Sequence, residues 1–107
     1  MIRSPPLRLR ITDAAEADLA EIWGYLAGEG SETIATRFVR AIEVAMEPVC
    51  RFPLAGADRR QLAPGLRVTF HGSYAIYYRV LADAVVIIRV LHAARDAAGL
   101  AEHGGFR

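Results

Sequence analysis

Arginine, histidine and tyrosine side chains carry most of the chemistry that the second half of this sequence offers. Every one of the 13 Lys+Arg positions is an arginine, which excludes mechanisms that need a lysine amine as a base or Schiff-base former. Guanidinium groups stay charged and suit the recognition of carboxylates and phosphates. We predict that a target or partner protein is bound by Arg67, Tyr77, Arg79, Arg89, His92 and Arg95.

Metal and cofactor chemistry finds little support in the residue types. No cysteine or carboxylate stands at ligand spacing beside the three histidines, His71, His92 and His103. The Gly28-Glu29-Gly30 piece lacks the strand before it that a phosphate-binding loop needs. Cys50 has no second cysteine to pair with, so we interpret it as a small core residue. We therefore predict no metal and no cofactor.

Charge is divided unequally along the chain, although the formal net charge is only +1. Residues 11–47 contain eight acidic residues against two arginines, a net charge of −6, and residues 48–107 contain eight arginines against four acidic residues, a net charge of +4. This asymmetry predicts an anionic partner for the second half, protein or nucleic acid. The excess is too small to predict direct sequence-specific binding of nucleic acid.

The length of 107 residues and the apolar fraction of 53% indicate one domain, residues 1–107, with a single core. No apolar run approaches the roughly 18 residues that span a bilayer, and the start lacks a secretory-signal pattern. We expect a cytoplasmic protein with no membrane partner. Residues 1–6, which end in two prolines, and residues 98–107, which contain three glycines, are expected to be flexible.

The beginning of the domain predicts a strand and then a helix. Residues 7–11 alternate between apolar and polar side chains, which indicates a half-buried strand. Asp13 is the predicted cap of a first helix that begins at Ala14 and stops at Gly28-Glu29-Gly30. The side chains predicted to face inward are Ala15, Leu19, Ile22, Trp23 and Leu26, and those predicted to lie off this stripe are Glu16, Asp18 and Glu21.

A second helix, capped by Ser31, is expected to pack antiparallel to the first. Pro48 lacks an N–H group, so this helix should kink or end near Glu47. A loop follows at residues 56–65. The side chains of the second helix predicted to face inward are Ile34, Ala35, Phe38, Val39, Ile42, Met46 and Val49.

Three further strands are predicted at about 66–70, 74–81 and 85–92. The apolar sets expected under the helices are Leu66, Val68 and Phe70, then Tyr74, Ile76, Tyr78 and Val80, then Val86, Ile88 and Val90. Pairing of Phe70 with Tyr74 and of Leu81 with Val85 would place a row on the opposite face, made of Arg67, Tyr77 and Arg89. The apolar residues expected to be exposed on that face are Leu81, Val85, Ile87 and Leu91.

The predicted fold class is α+β with the order β-α-α-β-β-β. The N-terminal strand and the αα-hairpin are expected on one face of a mainly antiparallel four-stranded sheet. The place of the first strand within the sheet does not follow from the sequence. An open sheet face and an exposed sheet edge imply a partner that covers them.

Short motifs follow one another in a fixed order along residues 8–97. They are Ala17-Asp18-Leu19 with Ile22 and Tyr25, Arg37-Phe38, Phe52-Pro53 with Gly56, Gly65-Leu66-Arg67, Tyr74, Tyr78-Arg79-Val80, and Val90-Leu91-His92-Ala93-Ala94-Arg95-Asp96. In order and spacing they resemble the ParE/RelE superfamily of small bacterial toxins. The closing VLHAARD is most similar to the ParE branch.

The resemblance to RelE-like members implies one activity, the cleavage of mRNA on the ribosome. Basic and aromatic side chains do the acid, base and charge-stabilising work in that branch, and the catalytic candidates here would be Arg67, Arg95 and His92. Thr69, Ala75 and Ala101 stand near positions where that branch has a lysine, an arginine and a tyrosine. An alanine can neither transfer a proton nor neutralise an oxyanion.

The resemblance to ParE-like members implies inhibition of DNA gyrase by binding, without known catalytic residues. We therefore predict the toxin component of a type II toxin-antitoxin system that is not itself an enzyme. The alternative is a ribosome-dependent mRNA endoribonuclease. The resemblance also implies a cognate antitoxin, whose C-terminal segment wraps the toxin and neutralises it in a hetero-oligomer.

Overall fold

The computed structural model of this protein describes residues 5–95 and 97–107. Its elements are β1 (Arg8–Ile11), α1 (Asp13–Glu29), α2 (Glu32–Ala45), α3 (Glu47–Arg51), β2 (Ala57–Asp58), β3 (Arg67–His71), β4 (Tyr74–Val80), β5 (Ala84–His92) and α4 (Ala97–Glu102). The α+β class and the helical hairpin are confirmed. Among the described residues, no helix is long and apolar enough to cross a bilayer.

One sheet of five strands has the order β1-β5-β4-β3-β2. β5 lies between β1, which is parallel to it, and β4, which is antiparallel. The α1–α2 hairpin supplies the crossover that a parallel connection requires. The fifth strand was not predicted, since β2 is only a two-residue strand, in which Ala57 pairs with Val68 and Asp58 with Arg67. A strand of two residues is too short to show the alternation of apolar and polar side chains that predicts a strand.

Helix α1 is capped by Thr12 and not, as predicted, by Asp13. Thr12 Oγ1 accepts the backbone N–H of Ala15 at 3.1 Å, and Asp13 is the first residue of the helix. The Asp13 carboxylate still stabilises the helix, because it lies near the positive end of the helix dipole. Ser31 caps α2 as predicted, with its Oγ accepting the N–H of Ile34 at 3.1 Å.

The interruption predicted near Glu47 is confirmed. α2 ends before Met46 and α3 begins after it, with Pro48 in the first turn, where a missing N–H leaves no hydrogen bond unmade. The inward assignment of Ile34 is wrong, because this side chain is 56% exposed and lies beside Gly30.

Two cores lie on the two faces of the sheet. The first, between helices and sheet, is built from Ala15, Leu19, Ile22, Ile42, Met46, Val49, Cys50, Ile76, Tyr78, Val85, Ile87 and Val90. The second is built from Leu66, Val68, Ala75, Tyr77, Ile88, Leu91 and Phe106. The sheet face that was expected to be open therefore carries a core of its own.

A bulge in β5 changes which side chains face the helices. Tyr77 pairs with Arg89, but the next residue, Tyr78, pairs with Ile87, so Ile88 is an extra residue in its strand. An extra residue reverses the alternation of side chains beyond it. The predicted faces are therefore wrong for Val86 and Ile88, which pack in or against the second core. They are also wrong for Leu66 and Val68 in the second core and for Phe70, which is 54% exposed, because the turn between β3 and β4 is one residue shorter than predicted. Of the four residues expected to be exposed, Leu81 is exposed, and those found buried are Val85, Ile87 and Leu91.

The outer face does not carry the predicted row of Arg67, Tyr77 and Arg89. In the turn between β3 and β4, His71 rather than Phe70 pairs with Tyr74. Gly72 has a φ of +56°, which suits a two-residue hairpin turn. This turn is shorter than the predicted one by one residue, and the resulting shift places Arg67 and Tyr77 on opposite faces.

The C-terminal segment packs onto the second core, which differs from the flexibility expected of residues 98–107. Phe106 is 1% exposed and lies against Tyr77, with ring centroids 4.7 Å apart. One aromatic residue at the end of a glycine-containing segment produces no periodic pattern, so the sequence did not reveal this contact. Of residues 1–6, expected to be flexible, residues 1–4 lie outside the described residues, and Pro5 and Pro6 are exposed.

Candidate functional site

The six residues predicted to bind a partner fall into three groups. His92 and Arg95 are exposed and line one cavity. Arg67 and Arg79 are half-buried and hold a loop. The remaining two, Tyr77 and Arg89, contribute to the interior.

Arg89 forms a buried ion pair with Asp18 of α1. Its Nε and Nη2 donate to the two carboxylate oxygens at 2.7 and 2.8 Å, and its Nη1 donates to the Gly105 carbonyl at 3.2 Å. The hydrogen bonds that Arg89 donates to the Asp18 carboxylate raise the pKa of its guanidinium above the usual range. Asp18 is 6% exposed, so its predicted place off the buried stripe of α1 is wrong. Its partner is 71 residues away, and no helical spacing reveals such a pairing.

The loop before β3 is held by three side chains of the sheet. Arg67 Nη1 donates to the carbonyls of Leu54 and Gly56 at 3.2 and 2.8 Å. Arg79 Nε donates to the Pro64 carbonyl at 3.0 Å. The Tyr78 hydroxyl donates to the Pro53 carbonyl at 2.7 Å and accepts the Gly56 N–H at 3.0 Å. Arg67 and Arg79 therefore use part of their hydrogen-bonding capacity within the chain and not for a partner.

Tyr77, predicted as a surface aromatic, is 8% exposed and covered by Phe106. Burial raises the pKa of its phenol, although nearby Arg59 acts in the opposite direction. A partner can reach this ring only if the C-terminal segment moves.

The exposed pair His92 and Arg95 lies at the end of β5, beside a cavity of about 200 Å³ between α1 and the sheet. The cavity is lined by Asp18, Glu21, Ile22, Tyr25, Tyr74, Val90, Leu91, His92 and Arg95. The His92 ring packs edge-on against Tyr74, with centroids 5.4 Å apart. Its Nδ1 accepts the Ala94 N–H at 3.1 Å, which leaves the other ring nitrogen to face a partner.

Arg95 can bind an anionic group at this cavity, beside the aromatic rings of Tyr25 and Tyr74. Arg95 is exposed, and the salt bridges among the described residues do not include it. A guanidinium of this kind can donate to a carboxylate or phosphate. We take the cavity, with Arg95 at its rim, as the candidate site.

Tyr25 and Glu21 were not among the predicted site residues. Tyr25 is 64% exposed and stands four residues after Glu21 on α1, so both lie on the helix face that meets the end of β5. The signal available in the sequence was an aromatic residue on an acidic helix at a motif position.

Of the three residues named for an endoribonuclease, His92 and Arg95 lie together at the cavity, and Arg67 stands apart from them. Arg67 pairs with Tyr78 and His92 with Tyr74, so they stand four residues apart along β4, a separation of about 13 Å. Ala75 is 1% exposed, and Thr69 is half-buried. Nor do residues 5–95 and 97–107 hold a group of three or more His, Cys, Asp or Glu side chains that could bind a metal ion.

Cys50 lies in the first core, 8% exposed, as predicted. Burial raises the pKa of its thiol, and the nearby Glu47 carboxylate adds to this effect. A raised thiol pKa lowers the thiolate fraction, so this cysteine is a poor nucleophile.

Comparison with known proteins identifies relatives that match most of the chain. Residues 9–97 match the family described as the ParE toxin of the type II toxin-antitoxin system parDE. A protein named toxin ParE1 from Caulobacter vibrioides is 33% identical over 88 residues, which cover 82% of this chain and 91% of that protein. Toxin ParE1 of Mycobacterium tuberculosis is 29% identical over 90 residues, covering 83% and 92% of the two chains.

Two solved structures share the fold. A chain of the chromosomal ParDE toxin-antitoxin system from P. aeruginosa superposes with a TM-score of 0.73 at 24% identity, covering 83% of this chain and 98% of that one. A chain of the toxin-antitoxin complex RelBE2 from Mycobacterium tuberculosis superposes with a TM-score of 0.61 at 30% identity, covering 82% and 99%.

Proposed function

Because this chain belongs to the ParE toxin family of type II toxin-antitoxin systems, we propose that it binds DNA gyrase and inhibits it without catalysing a reaction of its own. The match to this family over residues 9–97 is the observation that carries the proposal. The protein would act in the cytoplasm, where gyrase meets the chromosome.

The geometry of the arginines supports binding over catalysis. Arg67 is engaged with loop carbonyls, and it lies at the other end of the sheet from His92 and Arg95. A general acid and a general base must both reach one scissile bond, and the position of Arg67 away from His92 and Arg95 supports binding over cleavage. Arg95 at the rim of the cavity is available for contact with an acidic group of a target.

We further propose that a cognate antitoxin neutralises the protein by covering part of its surface. The similar chains from P. aeruginosa and Mycobacterium tuberculosis come from a ParDE system and a toxin-antitoxin complex. The division of charge supports a partner whose acidic residues face the arginines of the sheet.

A supercoiling assay with purified gyrase tests the proposal. The protein is expected to block supercoiling and to cause cleaved DNA to accumulate. Arg95→Ala should weaken inhibition by about tenfold, the loss of one charge-assisted hydrogen bond. Arg37→Ala, an exposed arginine of α2, is the matched control and should inhibit normally. Normal gyrase turnover at saturating protein would reject the proposal.

The alternative, ribosome-dependent cleavage of mRNA, is tested with the same protein in a translating extract. Cuts in translated mRNA that disappear with Arg95→Ala would favour the endoribonuclease. Intact mRNA together with inhibited gyrase would reject the endoribonuclease alternative.

A further inference from the structure

Three arginines form a positively charged patch on the sheet face that carries the second core. This arginine patch consists of Arg8 and Arg10 of β1 and Arg79 of β4. We propose that the arginine patch binds the phosphate backbone of double-stranded DNA without reading its sequence. The inference rests on the proposed function, and it adds that the protein contacts the DNA that gyrase holds as well as the enzyme.

The alternation of side chains along each strand places the whole patch on one face of the sheet. Neighbouring side chains of a strand point to opposite faces. In β1, Ile11 packs against the first core, so Arg8 and Arg10 lie on the other face. In β4, Tyr77 belongs to the second core, and Arg79, two residues later, lies on the same face as Tyr77.

The strand register brings the three arginines close together. Arg10 and Arg79 stand opposite Val86 of β5 from its two sides, so their Cα atoms are about 10 Å apart, which is two strand spacings. Arg8 precedes Arg10 by two residues, a distance of about 7 Å along the strand. Duplex DNA carries one negative charge for about every 1.7 Å of its axis, so a patch of this size spans several phosphates.

The guanidinium groups of the patch have donors available for a ligand. Arg8 and Arg10 are exposed, and among the described residues no salt bridge or side-chain hydrogen bond engages either of them. Arg79 is half-buried, and its Nε donates to the Pro64 carbonyl at 3.0 Å, which leaves its two Nη groups. The planar guanidinium fork matches the oxygens of a phosphate.

The surroundings of the patch keep it positive. Helices α1, α2 and α3 contain most of the acidic residues and pack on the other face of the sheet. Arg59 lies near the Tyr77 phenol and adds positive charge to the face of the patch. Two exposed acidic residues stand on the side of the patch, Asp83 in the β4–β5 turn and Glu102 on α4. Asp83 borders the patch, because the Arg8 N–H donates to its backbone carbonyl.

The composition of the patch favours DNA over an acidic protein surface. Protein interfaces place apolar and aromatic residues at their centre, whereas interfaces with DNA are more polar and much more positively charged. The centre here is the half-buried Val86, with arginines around it, and the exposed Leu81 follows β4 at the margin. The proposed target also carries DNA, so a protein bound to gyrase has duplex DNA within reach.

Fluorescence anisotropy tests the arginine patch directly. The probe is a labelled DNA duplex of about 20 base pairs, titrated with the full chain at several salt concentrations. We expect the logarithm of the association constant to fall linearly with the logarithm of the salt concentration, with a slope of about −2.7 for three neutralised phosphates. Arg10→Ala should weaken binding about fivefold and make the slope shallower by about one. Arg40→Ala, an exposed arginine of α2, is the matched control and should change neither quantity.

Two further substitutions separate charge from side-chain size. Arg10→Glu should weaken binding more than Arg10→Ala, because the new carboxylate repels phosphate. Asp83→Asn should strengthen binding about twofold, since it removes a negative charge at the border of the patch. Each variant should keep the thermal unfolding midpoint of the parent protein, because Arg10 and Asp83 are exposed. In NMR spectra, the Nε–Hε signals of the patch should shift on addition of the duplex, and that of Arg40 should not.

Several outcomes would overturn the inference. One is the absence of duplex binding at about 50 mM salt, where phosphate contacts are strong. Equal weakening by Arg10→Ala and Arg40→Ala is another. A polyglutamate peptide that binds the patch more tightly than the duplex does at the same salt concentration would assign the patch to an acidic protein.

The gyrase assay distinguishes this inference from the proposed function. We expect Arg10→Glu to reduce the accumulation of cleaved DNA about tenfold, because one phosphate contact is replaced by repulsion. Full inhibition of gyrase by a protein that binds no duplex would reject the arginine patch and leave the proposed function standing. Salt-dependent duplex binding through the patch, together with normal gyrase turnover, would support the DNA surface and reject the proposed function.

Discussion

The Asp18 carboxylate accepts two hydrogen bonds from the Arg89 guanidinium, at 2.7 and 2.8 Å, and a third from the backbone N–H of Val90 at 2.9 Å. Arg89 in turn donates to the Gly105 carbonyl. One acidic residue of α1 is thus connected to β5 and, through Arg89, to the C-terminal segment. The connection joins the helical layer to the element that covers the opposite face of the sheet.

Asp18→Ala should lower the free energy of unfolding by about 3 kcal/mol, because it leaves a buried guanidinium without its partner. The side chains of Arg89 and Asp18 are 15% and 6% exposed, so water compensates little of this loss. Urea denaturation followed by circular dichroism measures the change. The control is Arg60→Ala, which breaks a surface pair with Asp58 whose atoms are 3.8 Å apart; the expected change is below about 0.5 kcal/mol. Equal effects would contradict the assigned role of Asp18.

Gly56→Ala should destabilise the loop before β3. A Cβ atom there would lie 2.8 Å from ring carbons of Tyr78, closer than packed atoms allow. We expect a loss of about 1–3 kcal/mol in the free energy of unfolding. Gly24→Ala is the matched control: a Cβ at this position within α1 meets no atom within 4 Å, and the exchange should stabilise the helix by about 0.5–1 kcal/mol. A neutral Gly56→Ala would mean that Tyr78 does not hold the loop.

Phe106→Ala should lower the free energy of unfolding by about 3 kcal/mol, because it removes an aromatic ring from the second core. Phe106 is 1% exposed, and its ring contacts Tyr77. Thermal unfolding, with Tyr77 ring resonances as a local probe, measures the loss. Phe70→Ala, at a side chain that is 54% exposed, should cost much less. If both substitutions have the same small effect, the C-terminal segment does not contribute to the core.

Alkaline pH should destabilise the protein through its buried phenols. Burial raises the pKa of Tyr77 and Tyr78 above the ordinary 10.0, so the folded state holds protons that the unfolded chain releases. The stabilisation is present below pH 10 and is lost as the pH rises through the folded-state values. Tyr77→Phe should make this loss shallower, measured as the urea midpoint against pH, with Tyr25→Phe as the exposed control. An unchanged slope would count against burial of the Tyr77 phenol.

Local patterns were sufficient to predict most of the elements and their order. The period-two stretch at residues 7–11, the Ser31 cap and the helix interruption by Pro48 each depend on residues a few positions apart. The Thr12 cap was missed by one position because Asp13, with Glu16, also fits a cap motif. Sequence motifs likewise led to the toxin family, which the comparison confirmed.

The candidate site was predicted only in part. His92 and Arg95 lie together at an exposed cavity, whereas Tyr77 and Arg89 are covered. Their burial depends on Phe106 and Asp18, which are 29 or more residues away in sequence. The sequence shows neither contact, because an aspartate is written in the same way whether its side chain is buried or exposed.

Strand register determines which face of the sheet each predicted side chain lies on. Side chains on a strand alternate with a period of two, so the one-residue shift at the Gly72 turn and the extra residue Ile88 each exchange the two faces of the sheet. The alternation is written in the sequence, but the pairing between strands follows from turn geometry and from the packing of both faces. The amino-acid pattern therefore predicts which segments are strands, and only the folded sheet shows which arginines reach the surface.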